Sequence, residues 1–244
     1  MSNIVHFSNT SELDSLYCFP FAGGAPSVYF PLSESLNGIF NISAINFPGK
    51  GVLIGEPSLK SMDQLVEYAF SALEYDRAFD KPYYIMGYSL GSKVATMLIE
   101  KIAKQGLPLP RKVYLCASEP PNCKTSRKPS KGMSDDEFIE LLKSMNGTSN
   151  DILDNKELMD IYLPSIRADF NISDSFYKDA PDRPFCVEAV IIYGNYDHFL
   201  SSENIELWSK FYNKTSFFDL EEGHFFLTER PSLIKEIIIS SIDK

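Results

Sequence analysis

The chain has 244 residues, 44% of them hydrophobic and 23% charged, which is enough to bury a full core as one large domain. Its 33 acidic against 23 basic residues give a net charge of -10, excluding the broad basic field of a nucleic-acid binder. No apolar run approaches membrane-spanning length, and the opening MSNIVHFSNTSELDS lacks the regions of a signal peptide, so a cytoplasmic monomer that does not enter the membrane is expected.

The first strand expected is SLYCF (15 to 19), which leaves His6 ahead of the sheet. A helical pattern over 28–36 leads to the strand NISAINF (41 to 47), and another over 59–75 leads to PYYIMG (82 to 87). Leu90, Val94, Leu98 and Ile102 then recur on one helical face ending near Gly106, before the strand KVYLCAS (112 to 118). Later come VEAVIIYG (187 to 194), a helical pattern over 203–212, TSFFDL (215 to 220) and a last helix over 231–242. Most of these strands are too apolar to be wet on one face, and their alternation with helices predicts a mostly parallel sheet covered on both sides. The four cysteines form no CxxC pair and read as buried free thiols.

Between Pro120 and Pro181 no strand is evident. SDDEFIELLKSMNG opens with the capping box Ser134 to Glu137 and puts Phe138, Leu141, Leu142 and Met145 on one face. Two further helical patterns, 151–163 and 165–177, are separated by Pro164. The expected organisation is one domain over 1–244 with a helical lid inserted at 120–181, above the C-terminal edge of the sheet.

GYSLG (87 to 91) lies where a buried strand turns into a strong helix. Flanking glycines let the chain turn sharply, and the turn lifts Ser89 above the sheet as a nucleophile. A serine hydroxyl needs a base and an orienting acid, which follow it in the order acid, then histidine. Of three histidines, His224 in EEGHFFL stands just after a strand, with a glycine before it and two phenylalanines after it to anchor the loop. GNYDH supplies Asp197 just beyond a strand, with Asp219 as its rival and His198 read as a loop residue. The oxyanion hole would use the Leu90 N–H and one from the loop PFAGG, Ala22 first and Phe21 next.

The chain resembles the type II thioesterases that accompany nonribosomal peptide and polyketide synthases. The likeness is carried by CFPFAGG (18 to 24), FPGKG (47 to 51), GYSLG (87 to 91), LPSIRADF (163 to 170), YGNYDH (193 to 198) and GHFFL (223 to 227), in that order and spacing. It implies an α/β-hydrolase fold, the triad Ser89, Asp197 and His224, and hydrolysis of acyl thioesters on phosphopantetheinyl carrier domains. The only cofactor-like group is then the phosphopantetheine of the substrate; no metal or redox cofactor is called for. Tyr88 stands where the family usually has histidine, Leu90 where it often has methionine, and Lys50 where arginine is usual. Lys124, Arg127, Lys128 and Lys131 beside the lid are expected to dock the acidic carrier, and Phe138, Leu142 and Phe170 to close over the acyl group. A carboxylesterase or lipase, an acyltransferase or product-releasing cyclase, and a non-catalytic docking protein of the same fold remain alternatives.

Overall fold

The computed structural model describes residues 3–124, 128–145 and 147–242. Its strands are β1 (Ile4–His6), β2 (Ser15–Phe19), β3 (Asn41–Ile45), β4 (Tyr83–Tyr88), β5 (Lys112–Cys116), β6 (Phe185–Gly194) and β7 (Tyr212–Leu220). They form one sheet in the order β1-β3-β2-β4-β5-β6-β7, parallel throughout except for β1, which runs antiparallel to β3. Every residue of β3, β4 and β5 is buried, as expected of strands covered on both faces.

The helices are α1 (Phe30–Ser35), α2 (Met62–Tyr75), α3 (Leu90–Lys104), α4 (Asp135–Met145), α5 (Asn150–Leu153), α6 (Lys156–Ser175), α7 (Ser202–Ile205), α8 (Phe226–Glu229) and α9 (Pro231–Ile242). Successive strand residues point to opposite faces and so feed two cores. Tyr17, Phe19, Ile85 and Leu115 pack with α2 and α3, whereas Leu16, Cys18, Met86 and Cys116 pack with α1 and α9. A third, smaller core joins Phe138, Leu142, Leu153, Met159, Leu163 and Phe170 from α4, α5 and α6.

The capping box is formed: the Glu137 N–H donates to Ser134 Oγ at 3.2 Å and the Ser134 N–H to Glu137 Oε2 at 2.8 Å. Four sequence expectations are corrected. His6 belongs to β1 within the sheet, because a three-residue edge strand is too short to reveal a period. Pro164 lies inside α6 and does not end a helix. Both it and Asp160, the residue whose carbonyl loses its N–H partner, are exposed, while Leu163 and Phe170 hold both halves of the helix to one core. The helix expected over 203–212 stops at a 3-10 turn over Glu206–Lys210, since Tyr212 starts β7 and its hydroxyl bonds Thr96 Oγ1 at 2.9 Å. Finally, Cys186 is exposed at the irregular start of β6, while the other three cysteines are buried; all four are free thiols.

Candidate active site

At the junction of β4 and α3, Ser89 adopts φ 54° and ψ -115°, a conformation that non-glycine residues rarely take. Two close approaches impose it. A side chain on Gly91 would overlap the Phe19 carbonyl of β2, and one on Gly87 would overlap the backbone of Gly91 and Ser92. The turn is also tied to β5: the Ser89 N–H donates to the Cys116 carbonyl at 2.8 Å, and Ser92 Oγ accepts the Cys116 N–H at 3.1 Å. Ser92, invisible as a functional residue in the sequence, thus holds the elbow in place.

The loop after β7 brings His224 to the serine, with Nε2 at 3.3 Å from Ser89 Oγ. Its other nitrogen, Nδ1, is 2.5 Å from Asp197 Oδ2. The Asp197 side chain is fully buried, and its second oxygen accepts the Phe199 N–H at 3.0 Å, so the carboxylate has one available orientation. The loops carrying acid and base are stitched together, Asn195 N–H donating to the Leu220 carbonyl at 2.7 Å and Tyr196 N–H to that of Glu222 at 3.0 Å. Asp219, the rival acid, is engaged elsewhere, accepting from Asn195 Nδ2 at 3.0 Å. His198 is exposed, and His6 sits among Ser43 and Asp76 far along the sheet.

Of the two phenylalanines after His224, Phe226 is fully buried and anchors the loop, whereas Phe225 stays half-buried, edge-on to Phe21 at 5.3 Å. The larger surprise is Tyr88, noticed in the sequence only as a departure from a family pattern. Its hydroxyl donates to the His224 carbonyl at 2.6 Å and accepts the Leu227 N–H at 3.3 Å. Burial pushes this phenol well above its ordinary pKa, so it stays a neutral donor.

A cavity of about 130 Å³ opens onto Ser89 and His224. Phe21, Ala22 and Gly23 of the loop after β2 line it, as do Leu142 of α4 and Ile166 and Phe170 of α6. In the β2 loop the Gly24 N–H donates to the Phe21 carbonyl at 2.8 Å and the Gly23 N–H to Asp169 Oδ2 at 2.7 Å, which leaves Phe21 and Ala22 as the candidate oxyanion donors. Leu90 opens α3, where a helix cannot satisfy its own first N–H groups. One expectation changes here. Phe138 is fully buried and does not line the cavity; it backs Phe170, ring edge to face at 5.2 Å. The sequence also gave no hint of a polar end to the cavity, formed by Lys93 and Glu119, where Glu119 Oε1 accepts the Ser201 N–H and an Asn204 Nδ2 hydrogen, each at 2.9 Å.

Lys124, Lys128 and Lys131 are exposed between β5 and α4, with Lys124 Nζ 5.9 Å from the Tyr177 ring centre; Arg127 lies outside the described residues. Among the described residues no group of three His, Cys, Asp or Glu side chains is placed to hold a metal ion, and no helix is long and apolar enough to cross a membrane.

A strained serine between glycines, a histidine on it and a buried aspartate behind, on a mostly parallel sheet, define an α/β-hydrolase. Residues 14–243 match the family model described as a thioesterase domain, and the chain belongs to that family: it is a thioester hydrolase. It is 28% identical over 223 residues to the gramicidin S biosynthesis protein GrsT of Aneurinibacillus migulanus, covering 91% of this chain and 86% of that one. Against the medium-chain S-acyl fatty acid synthase thioesterase of Homo sapiens it is 25% identical over 246 residues, 97% and 90% of the two chains. The structure of ClbQ from the colibactin NRPS/PKS pathway superposes with a TM-score of 0.88 at 24% identity, covering 95% of this chain and 98% of that one.

Proposed function

We propose that this thioesterase hydrolyses acyl groups from the phosphopantetheine arm of acyl or peptidyl carrier domains, clearing stalled units from a nonribosomal peptide or polyketide assembly line. The observation that carries the reading is the chain of hydrogen bonds from Ser89 through His224 to the buried Asp197, opening onto a cavity walled by α4 and α6. That the relative GrsT is a gramicidin S biosynthesis protein supports the choice of pathway class.

Ser89 Oγ attacks the thioester carbonyl as its proton passes to His224 Nε2, and Asp197 stabilises the imidazolium. The oxyanion is held by the N–H groups of Leu90 and Ala22, with Phe21 the alternative to Ala22. Collapse expels the thiol with the proton from His224. Water, deprotonated by the same imidazole, then attacks the acyl-serine, releasing the carboxylic acid and restoring the enzyme. Metal and redox cofactors have no step in this cycle. The segment 120–181 acts as a lid, and Lys124, Lys128 and Lys131 offer an acidic carrier a local basic face on an acidic protein.

The test is release of acetate from an acetylated carrier protein, followed by mass spectrometry, with acetyl coenzyme A and a nitrophenyl ester in parallel, for wild type and Ser89→Ala. Release that depends on Ser89 and is fastest on the carrier is expected. Ester cleavage with the carrier untouched would refute the assignment of substrate.

A further inference from the structure

The carboxylate of Asp169 is buried in α6, outside the triad, yet it reaches the loop that forms the oxyanion hole. Oδ2 accepts the Gly23 N–H at 2.7 Å, and Oδ1 accepts from Lys50 Nζ at 2.9 Å; both side chains are only 4% exposed. Three segments distant in sequence therefore meet on one carboxylate: the loop after β2, the loop after β3 and the helix α6. Their backbones are close as well. A side chain on Gly23, whose φ is +80°, would press on Ile166 Cγ1 at 2.9 Å, and one on Gly49 would come within 3.2 Å of Ser165 Cβ.

The Gly23 N–H belongs to the same peptide plane as the Ala22 carbonyl, so a bond that fixes this plane also fixes how Ala22 enters it. A glycine loop left to itself rotates freely; here the rotation is removed by a charged acceptor. Burial pushes the Asp169 carboxyl above its usual range, while the Lys50 ammonium and the Gly23 N–H act against that rise.

We propose that Asp169 is a positioning residue for the oxyanion loop, with Lys50 as its counter-ion, so that the hole is complete only while α6 is seated on the site. This rests on the Ser89 reading above. Since transition-state donors act only when accurately placed, loss of the acceptor is expected to cost turnover and not ground-state binding.

The experiment compares two double variants that both remove the buried charge pair, so neither leaves a lone ion. Lys50→Met/Asp169→Leu has no acceptor for Gly23, whereas Lys50→Met/Asp169→Asn returns one. With the acetyl thioester of N-acetylcysteamine, the leucine variant should lose roughly 10- to 100-fold in kcat with KM within about threefold. The asparagine variant should recover most of that loss. A trifluoromethyl ketone analogue, whose adduct with Ser89 carries an oxyanion, should lose affinity in parallel with kcat, while a thioether analogue binds both variants as it does wild type. Lys50→Met/Asp169→Ala, equally without an acceptor but with less bulk, carries the same expectation if the leucine variant does not fold. Equal kcat in the variants with and without the acceptor, or thioether binding lost in step with kcat, overturns the proposal. Ser89→Ala run alongside separates the two readings: if it still turns over the thioester the triad itself is wrong, and if it is dead while the double variants match, only this inference is.

Discussion

Removal of one oxygen at Tyr88 tests whether the β4 strand positions His224, the base proposed above. In Tyr88→Phe the ring keeps its packing on Phe226, 5.1 Å away, and only the hydroxyl is lost. That oxygen donates to the half-buried His224 carbonyl and accepts the buried Leu227 N–H, so both backbone groups lose a partner. Leaving buried polar groups unpaired costs about 1–3 kcal/mol, and we take about 2 kcal/mol for a pair served by one hydroxyl. In a chain of this length that lowers the melting temperature by roughly 4–8 °C. The released carbonyl is that of His224 itself, so the ring should also lose registration with Ser89, lowering kcat about tenfold with little change in KM. Differential scanning calorimetry and steady-state hydrolysis of a small thioester read the two effects. A variant that keeps both the wild-type melting temperature and the wild-type kcat would refute the reasoning.

Asp197→Asn should preserve the fold, since the amide oxygen can still accept the Phe199 N–H, yet reduce kcat by about 10²- to 10⁴-fold because the imidazole loses its orienting anion; an active variant would dismiss Asp197 as the acid. Phe170→Ala should enlarge the cavity and raise kcat/KM for longer acyl thioesters relative to acetyl, read by competition between chain lengths. His6 offers a pH test far from the site. Its hydrogen bond to Asp76 raises its pKa above 6.5 against an opposing effect of burial, so the protonated form is favoured in the folded state. The stabilisation is complete below about pH 6.5 and is lost as pH rises through the elevated folded value. Urea midpoints of wild type and His6→Gln should therefore differ at pH 5.5 and converge by pH 8.5; a constant gap would contradict the linkage.

Much of this protein was legible in its sequence because the relevant signals are local. A strand buried on both faces is predominantly apolar, which is why β2, β3, β4 and β5 stand out as SLYCF, NISAI, YYIMGY and KVYLC despite the polar Ser15, Asn41, Ser43 and Lys112. The elbow is equally local, since the glycines around Ser89 answer to backbone approaches within five residues and to one neighbouring strand. Asp197 and His224 stood out as candidates by their place just beyond strand ends, where loops reach the C-terminal edge of a parallel sheet. The edge strand β1 and the passage of α6 through Pro164 were missed for the opposite reason, because pairing with β3 and packing against α4 override weak or contrary local preference.

Sequence by itself therefore determined the layered sheet and singled out Ser89 and His224 as candidate nucleophile and base, since each depends on a pattern or residue type that has few alternatives in this chain. Tertiary structure alone paired Asp197 with His224 and Asp219 with Asn195, withdrew Phe138 from the cavity, and joined Tyr88 to His224 and Asp169 to Gly23. Those partners are separated by 27, 136 and 146 residues in the bonds between Asp197 and His224, Tyr88 and His224, and Gly23 and Asp169. A hydrogen bond across such a span leaves no periodicity to read, because it depends on where the folded sheet and its covering helices carry two atoms and not on either residue's neighbours.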